Sequence, residues 1–114
     1  METADSWKAN GNEYMKSRQF DKAVECYTKG LNIDKDNYVL YSNRSAAYLS
    51  AEMVDEAYDD AVKCISLNPS WPKGYCRKGA VEQVRGNFQR AVDTYNEGIH
   101  TDYSLFCRYQ QMWK

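Results

Sequence analysis

The sequence holds a single histidine, His100, and only two prolines in 114 residues. One imidazole cannot make a cluster of zinc ligands, and none of the four cysteines forms a C-x-x-C pair. No carboxylate–histidine couple reads as an acid–base pair, and no glycine-rich phosphate loop is present. An enzyme, a metal site and a bound cofactor are therefore not expected. No apolar run is long enough to span a bilayer, and the opening Met-Glu-Thr-Ala-Asp is too acidic for a secretory or mitochondrial leader. The formal net charge is −1, which gives no reason to expect a nucleic-acid or membrane partner. Cys26, Cys64 and Cys76 lie within helical apolar patterns, as small buried hydrophobes, and Cys107 is distant. Free thiols of this kind point to a reducing compartment: the cytoplasm, with the nucleus as an alternative.

Aromatic residues are plentiful, with ten tyrosines among them, and hydrophobic residues make up 43% of the chain. That composition belongs to a folded domain, and the length allows one, residues 1–114. Its organisation comes from a repeat. Ala23, Ala57 and Ala91 are 34 residues apart, inside the similar phrases Phe20-Asp21-Lys22-Ala23, Val54-Asp55-Glu56-Ala57 and Phe88-Gln89-Arg90-Ala91. The same shift aligns Trp7, Tyr41 and Tyr75, then Gly11, Ser45 and Gly79. Gly30, Cys64 and Gly98 follow it too.

A 34-residue period with small and aromatic residues in fixed slots resembles the tetratricopeptide repeat. The expected fold is all-α: a helical solenoid of three helix-turn-helix repeats, about 4–37, 38–71 and 72–105, plus a capping helix over about 104–114. First helices are expected at 4–16, 38–50 and 72–84, and second helices at 20–33, 54–67 and 88–100. Pro72 suits the first turn of its helix. Trp7 and Trp71 are assigned to packing, and His100 to a helix end. Glu82 departs from the pattern, since Tyr14 and Tyr48 fill its slot elsewhere. It is expected to weaken repeat three unless it turns outward.

Charge is distributed unevenly. The first helices carry six basic and three acidic residues, and the second helices four basic and eight acidic. In this fold the first helices line the concave groove, so the groove should favour an acidic ligand. Lys8 and Asn12 share a helix face by their spacing of four, as do Lys73 and Arg77. Asn43 occupies the same repeat slot as Arg77. Two ammonium groups, a guanidinium fork and two amides suit a carboxylate. Each also has a plain reading as a solvated surface residue, although Asn43 in mid-helix is costlier to dismiss. Met15, Ala46 and Leu49 are candidates for an apolar patch in the groove, with packing between helices as the alternative for Met15 and Leu49. Gln83 and Cys76 face the groove as well. Arg44 and Lys78 are assigned to structural or solvated rim positions.

The contexts Lys8-Ala9-Asn10-Gly11-Asn12, Tyr41-Ser42-Asn43-Arg44-Ser45-Ala46-Ala47-Tyr48 and Lys73-Gly74-Tyr75-Cys76-Arg77-Lys78 resemble carboxylate-clamp tetratricopeptide co-chaperones. Within these the likeness is greatest to the N-terminal domain of the Hsp70–Hsp90 organising (stress-inducible phosphoprotein) family. The resemblance implies a partner: the C-terminal Glu-Glu-Val-Asp tail of heat shock protein 70 or 90, bound by a domain that is monomeric. It further implies that Lys8, Asn12, Asn43 and Lys73 hold the terminal carboxylate and the Asp side chain, while Arg77 meets the tail upstream. Met15, Ala46 and Leu49 would receive the valine. Two other readings stay open. One is a regulatory domain of a larger phosphatase or peptidyl-prolyl isomerase, and the other a scaffold that binds proteins without tail recognition.

Overall fold

The computed structural model of the chain describes residues 2–99. Six helices follow one another: α1 (Ala4–Lys16), α2 (Phe20–Ile33), α3 (Tyr38–Ser50), α4 (Val54–Leu67), α5 (Pro72–Val84) and α6 (Phe88–Ile99). They fall where the period places them. Segment 104–114, expected as a cap, lies outside the described residues, as do Cys107 and His100.

Local chemistry sets the helix ends. Thr3 caps α1 by accepting the Ser6 backbone N–H at 3.1 Å, while the Ser6 hydroxyl accepts the Thr3 N–H at 2.9 Å. Asn37 caps α3 by accepting the Leu40 N–H at 3.1 Å. Pro72 occupies the first turn of α5, where its missing N–H costs nothing. The turn inside each repeat needs one left-handed residue. Arg18, Glu52 and Gly86 supply it with φ of 61°, 65° and 82°, again 34 apart. Each turn closes with a backbone bond over five residues, from Gln19, Met53 and Asn87 back to Tyr14, Tyr48 and Glu82.

Small residues let the paired helices approach. Gly11 on α1 faces the ring of Tyr27 on α2, and a Cβ at Gly11 would lie 2.5 Å from Tyr27 Cε1. Gly79 and Tyr95 repeat the arrangement between α5 and α6. Ala23, Tyr27, Leu31, Leu40 and Ala47 form the buried cluster joining repeats one and two. Full burial of a side chain such as Leu40 contributes about 2 kcal/mol. Trp71, the residue before α5, packs edge-on against Tyr38 at the start of α3, with ring centroids 5.0 Å apart, which makes it a packing contact between the two ends of repeat two.

Each first helix packs on its own second helix, and each second helix on the first helix that follows. The first helices also touch one another, α1 with α3 and α3 with α5, whereas the second helices show no comparable packing among the described residues. Elements on the inside of a curved array are the closer ones. The concave side therefore belongs to α1, α3 and α5.

Two charged residues of that layer leave the groove. Arg44 reaches back to α4, where Nε and Nη2 donate to the two Asp60 oxygens at 2.7 and 2.8 Å. Glu82 does not turn outward but is packed inside repeat three. It is 2% exposed and accepts the Thr94 hydroxyl at 2.5 Å. A polar pair there takes the place of the tyrosine used in the other repeats, and a buried polar group that has its hydrogen bond is tolerated.

Candidate functional site

The residues left on the concave side start with α1. Lys8 is one third exposed and lies 3.7 Å from Asp5, a loose pair one helical turn away. One turn further along, Asn12 is half-buried, and its Oδ1 accepts two donors. Asn43 Nδ2 on α3 approaches it at 3.5 Å, and the Tyr27 hydroxyl on α2 donates at 2.5 Å. Asn12 and Asn43 thus meet across neighbouring first helices.

From α5, Arg77 extends toward α3. Its Nε donates to Ser42 Oγ at 3.1 Å, and Ser42 is fully buried beside Asn43 in the chain. Burial pulls the Arg77 guanidinium below its ordinary value, while Cys76, Cys64 and Tyr27 act on it in the opposite direction. Tyr27, Cys64 and Arg77 therefore share one electrostatic neighbourhood, although they come from α2, α4 and α5. Arg77 and Lys73 form no ion pair among the described residues. The contrast with Arg44 is direct: both guanidinia are half-buried, but among the described residues Arg44 pairs with a carboxylate and Arg77 does not. Lys73 is exposed at the start of α5.

Met15, Ala46 and Leu49 are all half-buried. Met15 also packs against the core cluster, so part of its surface is already used. Cys76 is half-buried and Gln83 exposed; Gln83 Oε1 accepts the Tyr95 hydroxyl at 3.0 Å. Sequence reasoning passed over Tyr27 and Ser42, which touch the groove residues from below. The recurrence of a glycine and a tyrosine 16 residues apart, at Gly11–Tyr27 and Gly79–Tyr95, was the signal for the first.

The arrangement is chemically suited to an anion in extended form. Asn12 and Asn43 bring two amides together, Arg77 reaches the residue next to Asn43, and among the described residues no acidic side chain pairs with Arg77 or Lys73. Among the described residues, no group of three or more His, Cys, Asp or Glu is placed to hold a metal. No described helix is long and apolar enough to cross a membrane.

These features define a solenoid module with a basic groove, and comparison with known proteins gives its family. The tetratricopeptide repeat model matches residues 4–37. Heat shock protein STI1 of Saccharomyces cerevisiae is 41% identical over 103 residues, which are 90% of this chain and 18% of that protein. The chain thus spans about a fifth of the curated relative's length. Among solved structures, the second tetratricopeptide domain of Spaghetti (RPAP3) bound to the Hsp90 peptide SRMEEVD is 31% identical. It superimposes with a TM-score of 0.80 over 87% of this chain and 92% of that one. The TPR2B domain of yeast Sti1 in complex with an Hsp70 peptide is 26% identical, with a TM-score of 0.84 over 89% and 81%. The chain belongs to the tetratricopeptide repeat family.

Proposed function

We propose that this chain is a co-chaperone adaptor module that binds the C-terminal Glu-Glu-Val-Asp tail of heat shock protein 70 or 90. Lys8, Asn12, Asn43 and Lys73 hold the terminal carboxylate and the Asp side chain, and Arg77 contacts the tail upstream. Met15, Ala46 and Leu49 offer the apolar surface for the valine. The module is not an enzyme, needs no cofactor and works in the cytoplasm.

The observation that carries this reading is the half-buried Arg77, which pairs with no carboxylate among the described residues and bonds to Ser42, the neighbour in sequence of the Asn43 that meets Asn12. A partly desolvated cation is costly unless an anion meets it. A ligand with two carboxylates at one end supplies that anion, and the amides orient it through charge-assisted hydrogen bonds. Structural neighbours in complex with Hsp90 and Hsp70 peptides support the choice of ligand. Calorimetric titration with a Glu-Glu-Val-Asp peptide as the free acid and as the C-terminal amide tests it. The free acid should bind at least about tenfold more tightly, the loss of one charge-assisted pair. Equal binding of the two would refute the clamp.

A further inference from the structure

Beneath the groove, the side chain of Tyr27 does something that packing alone does not require. Its ring fills the gap left by Gly11 and is 1% exposed, so the residue belongs to the core by burial. Yet its hydroxyl reaches the residue after that glycine and donates to Asn12 Oδ1 at 2.5 Å. Asn43 Nδ2 approaches the same oxygen at 3.5 Å from α3. Two donors on one oxygen set the orientation of the amide: Oδ1 is taken by Tyr27 and Asn43, which leaves the Nδ2 hydrogens on the other branch of the amide. An Asn on an open helix face would otherwise rotate freely between its two faces.

We propose that Tyr27 is a positioning residue of the groove, holding the Asn12 amide so that its N–H donors, rather than its oxygen, face the ligand carboxylate. The proposal rests on the tail-binding reading above. An amide presented the wrong way would set an oxygen against the carboxylate, which repels instead of binding. Presenting the donor before the ligand arrives removes a rotational cost from association. Burial pushes the Tyr27 phenol up to about 12, so it remains a donor throughout the neutral range. In repeat three the residue after the equivalent Gly79 is Ala80, which offers no side-chain acceptor, and the Tyr95 hydroxyl reaches Gln83 instead, so the arrangement over an asparagine belongs to repeat one.

Tyr27→Phe keeps the ring over Gly11 and removes only the hydroxyl. In the 114-residue chain, it should weaken binding of the free-acid peptide by about fivefold, the size of one hydrogen bond, with the amidated peptide little changed. Asn12→Ala should cost at least as much, and Tyr27→Phe added to it should cost nothing further. In the unliganded protein, the Asn12 side-chain amide resonances should shift on Tyr27→Phe. If wild type binds acid and amide alike, tail recognition fails, and the positioning role with it. If wild type discriminates and Tyr27→Phe discriminates equally, or the Asn12 resonances do not move, the positioning role alone is wrong.

Discussion

Arg44 and Asp60 form the most buried ion pair among the described residues, their side chains 17% and 7% exposed and joined at 2.7 and 2.8 Å. The guanidinium also donates to Thr28 Oγ1 at 3.2 Å and stacks between the rings of Tyr41 and Tyr48. The Asp60 hydrogen bonds push the Arg44 guanidinium up, so it stays charged. The pair thereby links α3 to both α2 and α4 and removes one cation from the groove. Breaking one side leaves a buried charge alone. Asp60→Ala should lose about 3 kcal/mol in urea unfolding, whereas the double change Arg44→Met with Asp60→Leu should lose less than either single change. A double variant as unstable as Asp60→Ala would show that packing, not the uncompensated charge, sets the loss.

The turn inside each repeat offers a second measurement. Arg18 and Glu52 hold the left-handed conformation with a side chain, where Gly86 holds it without one. A Cβ in that region costs about 1 kcal/mol, partly offset by the greater chain entropy of glycine when unfolded. Glu52→Gly should therefore stabilise by about 0.5 kcal/mol, and Gly86→Ala should destabilise by the same amount. Nothing lies within 4 Å of the Cβ position at Gly86, so the second effect would be conformational rather than steric. Thermal unfolding of the two variants checks both signs.

The contrast between these turns shows what was legible in the chain. The period of 34 was, because Ala23, Ala57 and Ala91 are small wherever α2, α4 and α6 pack tightly, and all three are buried. The left-handed slot was not, since Arg18 and Glu52 carry none of the glycine that marks Gly86. The groove was partly legible. Arg44 is structural, as assigned, although the count of charge by helix included it. Glu82 is buried rather than turned outward, and the Asn12–Asn43 contact was not read from spacing. One residue along a helix turns the side chain by about 100°, so Arg44 points to α4 while its neighbour Asn43 faces α1. Ser42 and Tyr27 were hidden for a different reason: their roles depend on contacts between helices that no single-helix pattern encodes.

Alkaline pH should unfold the domain from within. Burial pushes the Cys64 thiol from 9.0 up to about 11, against a smaller lowering by Arg77, and the Tyr27 phenol from 10.0 up to about 12. For Tyr27, Cys26 adds to the rise and Arg77 opposes it. Both groups hold their protons more tightly folded than unfolded, so their contribution is complete below about pH 9 and is lost as pH rises from there toward 12. Urea unfolding across that range should show a steady fall in stability. Cys64→Ala should be less stable at neutral pH, from the space it leaves, but its decline above about pH 9 should be shallower, since of the thiols that burial pushes up only Cys26 and Cys76 still titrate there. The same slope in both proteins would assign the decline to other groups.

The two lysines of the groove should respond differently to salt and to mutation. Lys8 already has Asp5 at 3.7 Å, whereas Lys73 has no ion pair among the described residues. A tail carboxylate must therefore compete with Asp5 at Lys8 but not at Lys73. Lys73→Ala should weaken binding of the free-acid peptide by about tenfold, the scale of one charge-assisted contact, and Lys8→Ala by less. Removing the competitor should act in the opposite direction: Asp5→Asn should strengthen binding by about twofold at low salt, with the gain fading above about 0.15 M as the charges are screened. Calorimetric titration at two ionic strengths separates these effects. If Asp5→Asn weakens binding instead, Asp5 orients Lys8 toward the ligand rather than competing for it.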